Sequence, residues 1–327
     1  MKTIRTTITG AIRRTLTEEM EANDNIFLLG EDIGDPYGGI HKTTKGLMNK
    51  FGTDRVINSP LSEIAIVGVG IGAAMSGMRP VCEIMYADFL PIAMDQIVNN
   101  AAKMHFLSRG KASVPLVIRA SYGSGKAEGA LHSQCPESWF MNFPGLKIVV
   151  PSTPRDAQGL LKSSIWDNNP VIFLEHKLLY DLKGEILIEN IPIPLGKADI
   201  KKAGQDLTLI ASSVMVYRSL KAVEELEKDG YSIEVVDIRT LKPFDEDLIC
   251  KSVKKTGRLL VVEEGPFTGG WGAQVIQTVV EKEFSSLKVA PKRLTAPDVP
   301  LPARKDLEDR LIPNVAKIKE QIIKMLN

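Results

Sequence analysis

Ile4-Arg-Thr-Thr-Ile8-Thr-Gly-Ala-Ile12-Arg-Arg-Thr-Leu16 places an apolar residue at every fourth position, and eight residues later the chain turns to Asn25-Ile-Phe-Leu-Leu29. A four-residue apolar spacing predicts one face of a helix, and a short apolar run predicts a strand, so this stretch reads as one amphipathic αβ unit. The same alternation continues. Strand-like runs at Val56–Ile57, Val81–Met85, Leu116–Arg119, Lys147–Val150 and Val171–Leu174 are separated by helix-length segments. That is the pattern of a parallel sheet covered by helices, and the predicted fold class is α/β. The proline-rich Ile191-Pro-Ile-Pro-Leu195 then interrupts the pattern, and Leu207–Ala211, Ile233–Asp237 and Leu259–Val262 resume it. Two domains are expected, 1–190 and 191–327, which suits a chain of 327 residues. In the second, the helix Tyr217–Lys228 stops at Gly230 and feeds a strand.

Composition narrows the function. The 41 basic and 40 acidic residues leave a net charge of +1, so no charge imbalance points to nucleic acid or a membrane surface. The longest uncharged apolar run, Ile64 to Met78, holds four glycines and is too short to span a bilayer. Cys82, Cys135 and Cys250 match neither a zinc spacing nor a disulfide framework, which fits a reducing cytoplasm. Arg5, Arg13 and Arg14 precede the first acid, Glu18, as in a transit peptide. Their amphipathic setting favours a mature helix instead.

Ligands of open α/β sheets gather where strands end, which singles out three segments. These are Ser59-Pro-Leu-Ser-Glu63, the loop from Ser121 to Gln134, and Glu263-Glu-Gly-Pro-Phe-Thr-Gly-Gly-Trp-Gly272. Glu63 opens a glycine-rich helix. Read alone, it is a first-turn carboxylate complementing the helix dipole, with Ser62 or Ser59 near the cap. The glycines at 68, 70 and 72 and those at 269, 270 and 272 fail the dinucleotide spacing, and no phosphate-loop lysine follows either group. His41, His105, His132 and His176 form no metal-binding pair. His132 alone sits in a long loop of small residues, where a buried structural histidine is the plain alternative to a chemical one.

Several short motifs occur in a shared order: Leu28-Leu-Gly-Glu-Asp-Ile-Gly34, Pro60-Leu-Ser-Glu63, Asp95-Gln-Ile-Val98, His132-Ser-Gln134, Pro144-Gly-Leu-Lys147, Pro151-Ser-Thr-Pro154 and Thr295-Ala-Pro-Asp298. Over nearly the whole chain they resemble the beta subunits of the thiamine diphosphate-dependent component of pyruvate, branched-chain 2-oxo acid and acetoin dehydrogenases. The resemblance implies an N-terminal pyrimidine-binding domain and a C-terminal domain like the last domain of transketolase. It implies that Glu63 hydrogen-bonds the cofactor's aminopyrimidine, that Phe89 lies against the pyrimidine face, and that His132 acts on the substrate-derived intermediate and in transfer to a lipoyl group. Leu131 and Ser124-Gly-Lys-Ala-Glu128 depart from the family's usual pattern. In some relatives a structural potassium ion is held through carbonyls, here at Leu116, Ser164, Ile165, Asp167 and Asn169. A plain turn is the alternative, since Asp-Asn-Asn-Pro is good turn chemistry.

The Gly-Asp-Gly stretch by which thiamine enzymes of the wider family bind magnesium and the diphosphate does not occur, and the only Gly-Asp pair, Gly34-Asp35, runs into Pro36. The resemblance therefore implies an alpha subunit carrying those ligands in an α2β2 heterotetramer, and a lipoyl-bearing acyltransferase core as a further partner. The competing readings are the C-terminal half of a split transketolase and a non-catalytic α/β binding module.

Overall fold

The computed structural model describes residues 2–327. In chain order the elements are β1 (Thr3–Thr7), α1 (Ile8–Ala22), β2 (Ile26–Glu31), α2 (Leu47–Phe51), β3 (Val56–Ser59), α3 (Glu63–Met75), β4 (Arg79–Ile84), a 3₁₀ turn (Ala87–Ala93), a π-helical turn (Gln96–Ala101), α4 (Met104–Leu107), β5 (Val117–Tyr122), α5 (Glu137–Met141), β6 (Lys147–Val149), α6 (Pro154–Trp166), β7 (Val171–His176) and β8 (Lys183–Leu187). There follow β9 (Asp199–Lys202), β10 (Leu207–Ala211), α7 (Val214–Glu227), β11 (Ile233–Asp237), β12 (Thr240–Lys242), α8 (Glu246–Thr256), β13 (Leu259–Pro266), α9 (Gly272–Glu283), β14 (Lys292–Ala296), α10 (Lys305–Leu311) and α11 (Val315–Leu326). They form two compact units, each α/β. The first runs to Tyr122 and adds Trp139–Leu195; the second combines Gly123–Ser138 with Gly196–Asn327. A contiguous division near residue 190 does not account for the Gly123–Ser138 segment.

In the first unit the strands pair in parallel in the order β6-β7-β5-β4-β2-β3. β2, β5 and β7 are buried along their whole length, which is why they read as continuous apolar runs rather than alternating ones. The opening stretch departs from the sequence expectation. The helix begins at Ile8, not Ile4, because Thr7 caps it by accepting the Gly10 N–H at 3.0 Å. Ile4 instead belongs to β1, whose threonine-rich Thr3–Thr7 pairs antiparallel with β8 and sets Ile4 opposite Ile186.

The glycine-rich α3 lies close on this sheet. A Cβ on Gly70 would come within 2.6 Å of Cys82 Sγ on β4, so only glycine allows the approach. Ile66, Val67 and Ile71 fill the rest of that face, each contributing about 1.5–3 kcal/mol on burial. In the second unit β14, β13, β10 and β11 are parallel neighbours, and β9 closes one edge antiparallel. α7 packs with α11, and α8 with α9.

Candidate active site

In the first unit, Glu63 opens α3 directly after β3 and the Pro60–Ser62 turn. Ser62 occupies the cap position, yet its side chain makes no cap hydrogen bond; its carbonyl accepts the Ile66 N–H at 2.9 Å. Glu63 is only 9% exposed. An exposed first-turn carboxylate gains about 0.3–1 kcal/mol from the helix dipole, while taking a carboxylate out of water costs more than that. Dipole complementation alone does not explain a buried acid here.

The reason lies beside it. Glu31, the last residue of β2, is also buried. Burial, then the charges of Glu63, Asp32 and Glu83, push its pKa up to about 7, against a lowering hydrogen bond from the Met85 backbone. Glu31 is therefore an acid able to hold a proton near neutrality and return it, with the charge of Glu63 the largest of its electrostatic neighbours. Glu31 opens onto a cavity of about 350 Å³ shared with Tyr37, Gly39, Leu61, Met85 and Tyr86. Phe89 stands on the 3₁₀ turn that packs against α3, half-buried, its N–H donating to Tyr86 O at 2.9 Å. Glu63 and Phe89 do not line that cavity; they stand on α3 and on the 3₁₀ turn packed against it, a carboxyl and an aromatic ring of the kind that would hold a flat nitrogen heterocycle.

In the second unit, His132 lies part-exposed in the loop between Gly123 and Pro136, which has neither helix nor strand. The loop is closed at its base by Gly123 N–H donating to Gln134 O at 3.1 Å, and His132 N–H donates to Gly129 O at 3.3 Å. Glu137, just beyond, is buried; burial, then the charges of Glu264 and Glu263, hold its pKa up at about 8.

The other histidines have structural settings. His41 stacks on Tyr180 with ring centroids 3.9 Å apart. His176 Nδ1 accepts the Leu178 N–H at 3.2 Å, and its ring meets Tyr122 edge-on at 5.2 Å. His105 is exposed, its Nδ1 2.9 Å from Ala112 O. The glycine loop after β13 is likewise occupied by the chain itself. Glu263 accepts the Gly272 N–H at 3.2 Å while pairing with Arg293, so a carboxylate already sits where a phosphate would bind.

Four of the five carbonyls expected to hold potassium accept hydrogen bonds from the chain itself. Arg79 donates to Ile165 O at 2.9 Å, to Asp167 O at 3.2 Å and to Asn168 Oδ1 at 3.0 Å, with its guanidinium over the Trp166 ring. Ser164 O accepts the Asp167 N–H, and Leu116 O the Val171 N–H. Burial alone would raise the Asp167 carboxyl, but Lys147 and the Asn169 amides hold it below the usual range. Asn169 thus serves here by donating to Asp167 Oδ1, at 2.9 Å from its backbone and 3.0 Å from its side chain. The segment is a hydrogen-bonded turn with the Arg79 guanidinium against it. For magnesium, the described residues offer no group of three or more His, Cys, Asp or Glu arranged to hold an ion.

Sequence reasoning gave no role to Glu31, Glu264 or Glu308. Glu31 was visible inside the Leu28–Gly34 motif, and an acid ending a wholly apolar strand was the available signal. Glu264 lies inside the strand-end segment Glu263–Gly272, while nothing local marks Glu308.

A pyrimidine-binding unit followed by a second α/β unit defines a thiamine diphosphate-dependent enzyme of transketolase type. Residues 5–183 match the pyrimidine binding domain of transketolase, and residues 196–318 its C-terminal domain. The chain is 45% identical to the 2-oxoisovalerate dehydrogenase subunit beta of Bacillus subtilis over 94% of its own length and 95% of that protein. It is 43% identical to the mitochondrial pyruvate dehydrogenase E1 component subunit beta of Pisum sativum over 95% and 88% of the two chains. Identity is also 43% to the acetoin:2,6-dichlorophenolindophenol oxidoreductase subunit beta of Cupriavidus necator, over 94% of each. A solved split-gene transketolase, described as an inactive beta4 tetramer, shares the fold at a TM-score of 0.80 and 22% identity, covering 98% of this chain and 97% of that one. The chain belongs to the family of E1 beta subunits of 2-oxo acid dehydrogenases and acetoin oxidoreductases, and is a subunit of an oxidoreductase that works with an alpha partner. Among the described residues no helix is long and apolar enough to cross a membrane.

Proposed function

We propose that this chain binds the aminopyrimidine of thiamine diphosphate through Glu63 and Phe89, in an E1 component that oxidatively decarboxylates a 2-oxo acid, pyruvate foremost. When bound, the cofactor would supply the nucleophilic carbon for the substrate's carbonyl. This chain supplies a carboxyl at the pyrimidine nitrogen, from Glu63, and a ring-orienting apolar surface, from Phe89. His132 is assigned to proton transfer at the substrate-derived group and to handing the acyl group to lipoyl on an acyltransferase core. The magnesium and diphosphate ligands are assigned to the alpha chain in an α2β2 heterotetramer, and the assembly to the cytoplasm, in keeping with three reduced cysteines. The observation that carries the reading is the buried Glu63 beside Glu31, whose pKa is raised to about 7.

Glu63→Gln in the reconstituted two-chain enzyme, with saturating cofactor, is expected to lower turnover by roughly 10²–10⁴ while leaving assembly intact. Unchanged turnover would refute the assignment. Acetoin is the second reading, favoured by the Cupriavidus necator relative. A panel of pyruvate, branched-chain 2-oxo acids and acetoin separates the two, because a methylene of difference is worth only about 1–3 kcal/mol and must be measured rather than read.

A further inference from the structure

The segment Gly123–Pro136, which carries His132, makes no helix or strand, so its amides must find partners elsewhere. Those on the Ser124–Ala127 arm find carboxylates from far along the chain. Glu264 on β13 accepts the Ser124 N–H at 2.6 Å and also the Ser124 hydroxyl. Glu308 on α10, fully buried, takes the Gly125 N–H on Oε1 at 2.9 Å and the Ala127 N–H on Oε2 at 3.0 Å. Gly125 has φ +101 and Ala127 φ +55. Ala127 is thus held in the left-handed region, which costs on the order of 1–3 kcal/mol and persists only where surrounding contacts enforce it. Left-handed backbone turns successive amides toward one point, making a concavity that suits an anion. The anion here is the protein's own Glu308. The middle of the loop rests on the same C-terminal segment, since a Cβ on Gly129 would meet Ala303 Cβ at 3.4 Å.

We propose that Glu308, supported by Glu264, is the positioning residue for His132: a carboxylate on α10 fixes the Ser124–Ala127 arm and so sets where the histidine stands. For its catalytic consequence the inference rests on the role assigned to His132 above. Gln at 308 keeps one acceptor for two amides and replaces the other with a donor, so it should hold the loop partially; Ala should release it.

The test uses the two-chain enzyme with only this chain ¹³C-labelled at histidine Cε1, comparing unaltered protein, Glu308→Gln, Glu308→Ala and the exposed control Asp309→Ala. The His132 resonance, assigned by its loss in His132→Asn, is expected to shift and broaden in Glu308→Ala and less so in Glu308→Gln. The signals of His41, His105 and His176, and all four in Asp309→Ala, should stay in place. Turnover should fall by roughly ten- to a hundredfold in Glu308→Ala with little change in KM, the size expected for a misplaced reacting group. An unmoved His132 resonance in folded Glu308→Ala, or in Glu308→Gln if the alanine variant does not fold, would overturn the proposal. A moved resonance alongside full turnover in His132→Asn would uphold the positioning role and sink the catalytic reading of His132 instead.

Discussion

Two groups of acids stand on neighbouring strands of the first unit's sheet and meet different partners. Glu83 on β4 and Glu175 on β7 flank Arg119 on β5, which donates to Glu83 at 2.7 Å and to Glu175 at 2.6 and 2.8 Å. Tyr180 Oη donates to Glu175 at 2.7 Å and Thr43 Oγ1 to Glu83 at 3.3 Å. Burial opposes the charge of Arg119, but the two carboxylates outweigh it and keep the guanidinium protonated. A little further along the sheet, Glu31 has other acids as its charged neighbours, and its proton stays on to about pH 7. Burial raises the Glu83 pKa as well, but there the charge and hydrogen bonds of Arg119 pull it back down, whereas around Glu31 the neighbouring acids push it further up.

The first way to break this comparison is to remove the cation. Arg119→Met leaves two buried carboxylates unbalanced, and the first unit is expected to lose about 3–5 kcal/mol in urea unfolding. A loss under about 1 kcal/mol would show that the cluster is not held by its charge balance.

Glu137 in the second unit sharpens the comparison, because its charged neighbours are also acids. Its folded pKa, about 8, lies above the ordinary 4.5, so the folded chain keeps a proton that the unfolded chain releases. Its stabilising contribution is full below pH 4.5 and is lost as pH rises to about 8. Melting curves of Glu137→Gln should be flatter across that window, and the variant should be more stable than the unaltered chain at its upper end. A parallel pH dependence in the two proteins would contradict the assignment.

The smallest expected effect concerns Arg79, a partly exposed cation that balances no buried acid and serves carbonyls instead. Arg79→Met should cost roughly 1–3 kcal/mol, the range for lost charge-assisted hydrogen bonds. A cost as large as that of Arg119→Met would erase the distinction between the two arginines.

How much of this could be read from the chain depends on how local the cause is. The central strands were legible because full burial writes a continuous apolar run into each. β1 was not, since the four-residue spacing of Ile4, Ile8, Ile12 and Leu16 passes unbroken through the strand, and its partner β8 begins at Lys183. Glu63 and Phe89 were singled out through the family resemblance. The weight of Glu31 comes from its burial and from a neighbour 32 positions away, neither of which a sequence displays. Glu264 and Glu308 reach their amides across sequence separations of 140 and 183 residues, so no local pattern could announce those partners.

Glu31 stays protonated near neutrality because it is buried, with Glu63 as its strongest acidic influence. Carboxyl ¹³C titration of Glu31, in the unaltered chain and in Glu63→Gln, measures it directly. The account predicts a midpoint at about 7 in the unaltered chain and a clear fall toward the usual carboxylate range once the Glu63 charge is gone. An ordinary midpoint in the unaltered chain, or a midpoint that Glu63→Gln leaves in place, would contradict it.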